Sequence, residues 1–322
     1  MENNVNKKMS CTSISINILH YNSYEKTEVC VNSCLKQVGD DIKIIIIDNF
    51  STNDSLEKLK KTFGNIDNVS FLENKENYGF AKGNNIGIKY ALEMGIEYTF
   101  LLNNDTELIG ENLVAEMLDV IKKYSNCAVV APQIYDVTQD GLVLLKNDSS
   151  YLKMLRFFKI LPRNIIVSEQ LESISEAQGS ALFVNNKNFL GVKGFPEHYF
   201  MYGEEGTFSK KILWNKKILL WYKSKNNYVL HHHDKSKSVD DWRLYLMGRN
   251  RGIEFYENHK KRPLWGIVYL AFWMKCAFHY KKNYLYLVGM RKAHKLNVKK
   301  SNCEEYYFDG YMAKDRYGSK EK

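Results

Sequence analysis

The chain has 322 residues, of which 44% are hydrophobic and 26% charged, with only four prolines and 19 glycines. This composition is that of an ordinary globular protein, and it excludes a collagen, a coiled coil and an intrinsically disordered chain. The longest charge-free apolar stretch of the C-terminal part, residues 264–274, is shorter than the ~20 residues that a membrane-spanning helix needs. We also find no basic-then-apolar leader of the secretory type.

The net charge of +9 is unevenly distributed. Residues 1–200 contain 20 Lys and Arg against 25 Asp and Glu, a balance of −5, whereas residues 201–322 contain 26 against 12, a balance of +14. A basic C-terminal part suits an anionic partner such as a phosphate, a lipid headgroup or a nucleic acid. The six cysteines form no CxxC pair, which favours reduced thiols in a cytoplasmic protein over a zinc site.

Strand and helix patterns alternate along the first 131 residues. Alternating apolar residues predict a strand at 13–20, and a nearly continuous β-branched run at 42–47 predicts a strand buried on both faces. The same reasoning predicts further strands at 69–72, 98–102 and 127–131, and helices that begin near residues 31, 54, 84 and 113. This order predicts an α/β fold with a doubly wound, mainly parallel sheet, whose ligands bind at the carboxyl ends of the strands.

The remainder of the chain is less regular. Residues 140–175 have a less regular pattern and are expected to interrupt the alternation of strands and helices. Strands are expected after them at 181–184, 218–221 and 228–230. A glycine-flanked acidic turn at 203–206 precedes a predicted helix. We therefore expect two parts, an α/β domain at residues 10–240 and a helical, aromatic and basic region at residues 241–322.

Polar side chains follow the predicted strands at the ligand-binding edge. His20 ends the first strand, Asp48 ends the second, and Asp105 follows the fourth within the run Asn-Asn-Asp-Thr. A carboxylate at such an edge can bind a divalent cation that leaves positions for substrate phosphates, although the run by itself fits a polar turn better. The chain has neither a GxGxxG fingerprint nor a phosphate loop, which disfavours a nicotinamide dehydrogenase and a P-loop ATPase.

Several motifs together resemble the inverting family 2 glycosyltransferases with a GT-A fold, in particular the rhamnosyltransferase-like branch. Residues 48–53 (DNFSTN), 77–85 (NYGFAKGNN) and 102–106 (LNNDT) match three family motifs in order and at similar spacing. Residues 179–181 resemble the acceptor-side strand, and residues 194–205 (GFPEHYFMYGEE) resemble the segment that carries the catalytic base. The resemblance covers about residues 13–260.

The resemblance implies a nucleoside-diphosphate sugar donor, dTDP-rhamnose or a UDP-hexose, and a Mg²⁺ or Mn²⁺ ion that neutralises the leaving diphosphate. It assigns the metal to Asp105, with Asn103 in place of the first Asp of the family's Asp-x-Asp motif. His231, five residues before Ser236, is the second metal ligand by this comparison, and His233 has the same spacing to Ser238. A solvated histidine cluster is the alternative interpretation.

The substrate-binding residues that the resemblance implies lie at the strand exits and in the glycine-containing runs. They are His20, Asn22, Asp48, Asn77, Gly79, Phe80, Lys82, Gly83, Asn84, Asn103, Asn104, Gly179 and Ser180. Asp48 and the run at 79–85 also have a purely structural interpretation. In that interpretation Asp48 caps the turn after a buried strand, and the run at 79–85 is a left-handed turn before a helix.

An inverting transfer needs a base to deprotonate the acceptor hydroxyl. The resemblance assigns this role to Glu205, with Glu204 as its orienting neighbour, but the family has Asp at the position of Glu205. Thr207 and Phe208 also replace the family's Asp-Leu. These departures predict an altered acceptor geometry or an impaired enzyme, because a misplaced base costs on the order of 100-fold in rate.

The expected acceptor is a cell-surface polysaccharide or a lipid-linked glycan at the cytoplasmic face of the membrane. Aromatic and basic residues alternate after residue 264, which suits peripheral contact with an anionic membrane and equally suits a helical subdomain packed on the α/β domain. We expect no nucleic-acid partner, because no nucleic-acid module accompanies the charge. Two other functions remain open. One is a non-catalytic relative that binds a sugar nucleotide or a glycan. The other is a sugar nucleotidyltransferase, although residues 20–23 do not resemble the glycine-rich N-terminal loop of those enzymes.

Overall fold

The computed structural model describes residues 13–39, 41–147, 165–232 and 241–259, with side chains of the last segment described at 243–253. The candidate ligand His233, its spacing partners Ser236 and Ser238, and the aromatic and basic segment after residue 259 lie outside the described residues.

Strands and helices alternate as the sequence predicts. The strands are β1 (Ile14–His20), β2 (Ile42–Asp48), β3 (Val69–Glu73), β4 (Tyr98–Asn103), β5 (Thr106–Ile109), β6 (Cys127–Ala131), β7 (Ile134–Thr138), β8 (Gly141–Leu144), β9 (Ile166–Ser168), β10 (Leu171–Ile174), β11 (Ala181–Asn185), β12 (Ile218–Tyr222) and β13 (Tyr228–His231). The helices are α1 (Tyr24–Cys34), α2 (Ser55–Phe63), α3 (Gly79–Glu93), α4 (Leu113–Lys123), α5 (Asn186–Gly191), α6 (Glu204–Trp214) and α7 (Asp241–His259).

The main sheet has nine strands in the order β3-β2-β1-β4-β11-β6-β12-β10-β9. Its first four strands are parallel, β11 is inserted antiparallel between β4 and β6, and β12 pairs parallel with β6. The predicted α/β class is therefore confirmed. In this register His20 lies beside Asp48, and Leu19 beside Asn103, so the polar strand exits meet at one edge.

Helices cover both faces of this sheet, which explains the apolar run in β2. Ile44 and Ile46 pack into one core cluster with residues of α1, α2 and α4, whereas Ile45 and Ile47 pack on the opposite face against α3. A strand apolar on both faces needs cover on both, as the sequence predicts.

A second sheet, in the order β5-β13-β7-β8, starts with β5 at Thr106, three residues after β4 ends at Asn103. Its central strand β13 pairs antiparallel with β5 and parallel with β7, and this register sets His231 beside both Thr106 and Asp136. The end of β13 is thereby brought to the exit of the fourth strand.

The starts of α1 and α3 differ from the prediction. Helix α1 begins at Tyr24, seven residues before the predicted start near residue 31. Helix α3 begins at Gly79, five residues before the predicted start at residue 84. Gly79 has a φ of +72°, and a Cβ at this position would collide with the carbonyl oxygen of Phe200. The glycine is needed because the backbone approaches a distant segment here, which local periodicity does not reveal.

The irregular region predicted at 140–175 contains the strands β8, β9 and β10 in its described part. None of the described helices has the length and apolar character needed to cross a membrane.

Candidate active site

The exits of β1 and β2 are joined by buried polar side chains. His20 contacts Thr27 Oγ1 through Nδ1 at 2.7 Å and Ser55 Oγ through Nε2 at 2.9 Å, and its Nε2 lies 4.0 Å from Asp48 Oδ1. Burial lowers the pKa of His20, and the charge of Asp48 opposes this only in part. Asp48 itself accepts a hydrogen bond from the backbone N–H of Ser51. These contacts match the turn-capping role for Asp48.

Asn22 connects the loop that follows β1 to the loop that follows β2. Its backbone N–H donates to Ser51 Oγ at 3.0 Å, and its Oδ1 accepts the N–H of Thr52 at 2.7 Å. Asn22 has a φ of +53°, a conformation that Asn tolerates better than most residues. The loop after β1 is thereby held against the loop after β2.

Asn49, which sequence reasoning did not select, is the central hydrogen-bonding residue of this edge. Its Nδ2 donates to Asn77 Oδ1 at 2.9 Å and to the Gly79 carbonyl at 3.2 Å. Its Oδ1 accepts from Asn74 Nδ2 and from the N–H of Tyr78, both at 3.1 Å. The sequence feature that could have identified Asn49 is its position directly after Asp48, at the end of β2. These contacts hold the residue 77–79 turn against the sheet.

The remaining residues of the 77–85 run make hydrogen bonds and packing contacts within the protein. The Phe80 N–H donates to the Phe200 carbonyl at 2.7 Å, and Asn84 Nδ2 donates to the Phe80 carbonyl at 3.0 Å. A Cβ at Gly83 would lie 2.8 Å from Leu19 Cδ1. Lys82 Nζ stands 3.9 Å from the centroid of the Tyr78 ring.

Asn85, also not selected from the sequence, fastens α3 to the segment that precedes the two glutamates. Its Nδ2 donates to the Phe195 carbonyl at 2.9 Å and to Glu197 Oε1 at 3.1 Å, and its Oδ1 accepts the Phe195 N–H at 3.0 Å. The 77–85 run and the 194–205 segment are therefore one structural unit.

Asp105 and His231 converge at the exit of β4. Asp105 Oδ1 lies 3.4 Å from His231 Nε2, and Asp105 Oδ2 lies 3.8 Å from Lys26 Nζ. The other ring nitrogen of His231, Nδ1, is 2.8 Å from Asp136 Oδ1. Lys26 and Asp136 were not selected from the sequence, because their proximity depends on the docking of α1 and the register of the second sheet.

The pKa of His231 is raised by these carboxylates. Burial alone lowers the pKa of His231, but hydrogen bonds and charge from Asp105, and then from Asp136, outweigh burial. A histidine whose second nitrogen bonds a carboxylate is also the arrangement that orients metal-binding imidazoles.

The donor atoms of Asp105 and His231 fit a shared divalent cation. Two atoms that bind one octahedral ion at about 2.1 Å each lie roughly 3 Å apart, close to the observed 3.4 Å. Among the residues that the structure describes, no cluster of three or more His, Cys, Asp or Glu side chains suited to a metal is present.

The end of β4 is also tied to the residues that lead into β11. The N–H of Asn103 donates to the Ser180 carbonyl at 3.0 Å, and Asn104 Nδ2 donates to Thr27 Oγ1 at 3.0 Å. Gly179 faces Glu205: a Cβ at Gly179 would lie 2.7 Å from Glu205 Cγ and would collide with Oε1. Glu205 thus lies beside the strand that pairs with β4.

The adjacent Glu204 lies in a different environment. It is 2% exposed, and its Oε2 has no hydrogen-bond partner among the described residues. Burial, followed by the charge of Glu205, raises the pKa of Glu204 well above its usual value. The two neighbours are therefore separated by environment: Glu204 faces the interior, and Glu205 faces Gly179 at the sheet edge.

We expect Glu204→Gln to stabilise the protein at pH 8. Because the pKa of Glu204 is higher in the folded state than in the unfolded chain, ionisation opposes folding increasingly as pH rises above about 4.5. Thermal denaturation should show a Tm increase of about 2–4 °C at pH 8. The difference should shrink towards zero as pH falls below about 4.5, where Glu204 is protonated in both the folded and the unfolded chain. A difference that is constant with pH would contradict this assignment.

The sheet order, the polar strand exits and the inserted antiparallel strand define an α/β protein of the GT-A type. Residues 15–174 match the model of glycosyl transferase family 2. This segment, 160 of the 322 residues, is therefore similar to glycosyl transferase family 2.

Two curated relatives share parts of the sequence. The low-salt glycan biosynthesis hexosyltransferase Agl10 of Haloferax volcanii is 24% identical over 196 residues, which are 61% of this chain and 60% of the relative. The SPbeta prophage-derived glycosyltransferase SunS of Bacillus subtilis is 28% identical over 135 residues, 41% of this chain and 30% of the relative. The chain thus spans less than two thirds of the length of either relative.

Solved structures share the fold at low sequence identity. GalNAc-T7 with UDP, GalNAc and Mn²⁺ superimposes with a TM-score of 0.57 at 16% identity, over 78% of this chain and 51% of that one. Residues 1–349 of S. aureus TarS with UDP-GlcNAc give a TM-score of 0.53 at 17% identity, over 76% of this chain and 66% of that one. These similarities establish the GT-A architecture.

Proposed function

We propose that the chain is a metal-dependent, inverting glycosyltransferase that moves a sugar from a nucleoside-diphosphate sugar to a glycan acceptor. The observation that carries this proposal is the pairing of Asp105 with His231, 3.4 Å apart, at the carboxyl edge of the sheet. Glu205 lies near the same edge, because it contacts Gly179, and the next residue, Ser180, accepts a backbone hydrogen bond from Asn103 at the end of β4.

Asp105 and His231 would hold a Mg²⁺ or Mn²⁺ ion, with Asp136 orienting the imidazole. When bound, the ion supplies positive charge against the diphosphate as it leaves. Lys26, whose Nζ is 3.8 Å from Asp105 Oδ2, adds a second positive charge beside the position of that diphosphate. Two protein ligands suit such a site, because Mg²⁺ is commonly held by few side chains together with substrate phosphates.

Glu205 would act as the base that takes the proton of the acceptor hydroxyl. Inversion requires the acceptor to attack the anomeric carbon from the face opposite the leaving diphosphate, so the base must lie across the site from the metal. Glu204 fits this role less well, since its buried carboxyl favours the protonated form. We assign Glu204 to orientation of its neighbour.

The donor and acceptor are proposed by chemical class. The donor is dTDP-rhamnose, as in the rhamnosyltransferase-like branch, or a UDP-hexose, which the hexosyltransferase relative and the UDP-sugar complexes of the structural neighbours support. The acceptor is a cell-surface polysaccharide or a lipid-linked glycan. The basic residues 241–322 would keep the enzyme at the cytoplasmic face of an anionic membrane as a peripheral protein.

The proposal is tested by nucleotide release from a panel of dTDP-, UDP- and GDP-sugars, with Mn²⁺ or Mg²⁺ and with chelator. Donor binding is titrated in the same samples, and an extract of lipid-linked glycans serves as acceptor. Release from one donor, abolished by chelator, is the expected result. Metal-dependent binding without turnover under all acceptor conditions would favour a non-catalytic relative, and absence of binding to every donor would overturn the nucleotide-sugar proposal.

We expect Gly179→Ala to reduce turnover without unfolding the protein. The added methyl group collides with the flexible Glu205 side chain rather than with backbone, so Glu205 moves and the fold is retained. A base displaced by about an ångström lowers kcat on the order of 100-fold. Gly191→Ala is the matched control, because a Cβ there meets open space; equal kcat values for the two variants would contradict the placement of Glu205.

A further inference from the structure

Helix α7 packs on the turn that leads into the two glutamates. Leu246, Arg249, Asn250 and Ile253 are fully buried along one face of α7, at the i, i+3, i+4, i+7 spacing of a packed helix. Leu246 forms a small apolar cluster with Phe200, against which the next two residues of the turn also pack. Helix α7 therefore covers residues 200–203.

Asn250 binds the backbone of this turn directly. Its Nδ2 donates to the Met201 carbonyl at 2.7 Å and to the Tyr202 carbonyl at 2.8 Å, so both amide hydrogens are used. Its Oδ1 accepts from Arg249 Nε at 3.0 Å. Asn250 is thus held at both ends of its amide, and it fixes two successive carbonyl groups of the turn.

The turn needs such support because its backbone is in an unfavourable conformation. Tyr202 has a φ of +72° and Gly203 a φ of +92°, and Glu204 follows at once as the first residue of α6. A left-handed conformation is unfavourable for a non-glycine residue such as Tyr202, because its Cβ approaches the following carbonyl oxygen too closely. The turn would therefore relax without its partners. Any relaxation would rotate the start of α6, which carries Glu204 and Glu205.

We propose that Asn250 is a positioning residue that sets the direction of Glu205 by clamping the 201–203 turn. This inference rests on the proposed function, in which Glu205 is the base. It extends the catalytic unit into α7, outside the segment that matches the family model. The proposed function assigns binding of the donor diphosphate to the metal site at Asp105 and His231.

The chemistry of the clamp calls for an amide. An Asp at position 250 has nearly the same shape, but its carboxylate has no hydrogen to donate and would repel the carbonyl oxygens of Met201 and Tyr202. An Ala would leave both carbonyls without this donor and add no repulsion. Asn250→Asp and Asn250→Ala therefore remove the clamp with and without a new charge.

The experiment compares both variants with wild type and with Gln37→Ala in the full-length chain. Gln37 is a matched control because it is also a buried amide that bridges two backbone groups, donating to the Gly110 carbonyl at 2.7 Å and accepting from the Val114 N–H at 3.2 Å. Three quantities are measured for each: kcat for nucleotide release, the Kd of the donor with Mn²⁺, and hydrogen–deuterium exchange of residues 199–206.

We expect both Asn250 variants to lose kcat by about tenfold or more while the donor Kd changes less than about threefold. Exchange of residues 199–206 should rise in both variants and stay at the wild-type level in Gln37→Ala. A wild-type kcat in both Asn250 variants, or a loss of kcat in Gln37→Ala equal to theirs, would overturn the positioning role.

The exchange measurement separates this inference from the proposed function. If wild type releases no nucleotide from any donor, the proposed function fails, yet faster exchange at residues 199–206 in the Asn250 variants would still establish the clamp. If wild type is active and exchange in this segment is unchanged in both Asn250 variants, the clamp is absent and the proposed function stands.

Discussion

Asp105→Asn is expected to lower kcat/KM about 1,000-fold, which is the typical effect of removing a main electrostatic contact to a leaving group. The substitution keeps the shape of the side chain but removes the negative charge that pairs with the cation and with His231, whose Nε2 is 3.4 Å away. Nucleotide release measures the loss of turnover, and calorimetric titration with Mn²⁺ measures the loss of metal affinity.

Glu107→Gln provides the matched control for this prediction. It makes the same change, carboxylate to amide, two residues further along the chain, where Glu107 Oε2 contacts His232 Nε2 at 2.9 Å. We expect Glu107→Gln to change kcat/KM by less than about threefold. Unchanged Mn²⁺ affinity in Asp105→Asn would remove Asp105 from the metal site, even if turnover were lost.

Glu205→Gln is expected to lower kcat about 100- to 10,000-fold, the usual contribution of a positioned general base. The amide cannot accept the proton of the acceptor hydroxyl, so the chemical step slows, whereas the donor diphosphate is bound elsewhere on the sheet edge. The donor Kd, measured by titration with Mn²⁺, should therefore stay within about threefold of wild type.

Glu205→Asp distinguishes loss of the base from loss of shape. The Asp keeps a carboxylate that is shorter by one methylene, which moves it by roughly an ångström and leaves a kcat between those of wild type and Glu205→Gln. If Glu205→Gln retains the kcat of wild type, Glu205 is not the base. If both variants lose donor affinity in parallel, Glu205 contributes to donor binding.

Local sequence determined the α/β class and the sheet edge at which the candidate site residues lie. The apolar run of β2 and the alternation of β1 predict buried strands, because hydrophobic periodicity depends only on neighbouring residues. The strand ends then identify His20, Asp48 and Asp105, since parallel strands share one carboxyl edge. The predicted helix start at residue 84 was wrong by five residues, because the left-handed Gly79 is required by contact with Phe200, which is distant in sequence.

The tertiary structure alone decided which side chains surround those strand ends. His231 and Asp136 reach Asp105 through the pairing of β13 with β5 and β7, and Lys26 reaches it through the docking of α1. The different environments of Glu204 and Glu205 follow from the packing of α6. These contacts join residues far apart in the chain, and their free energy depends on strand register and helix packing, which no local pattern of residues encodes.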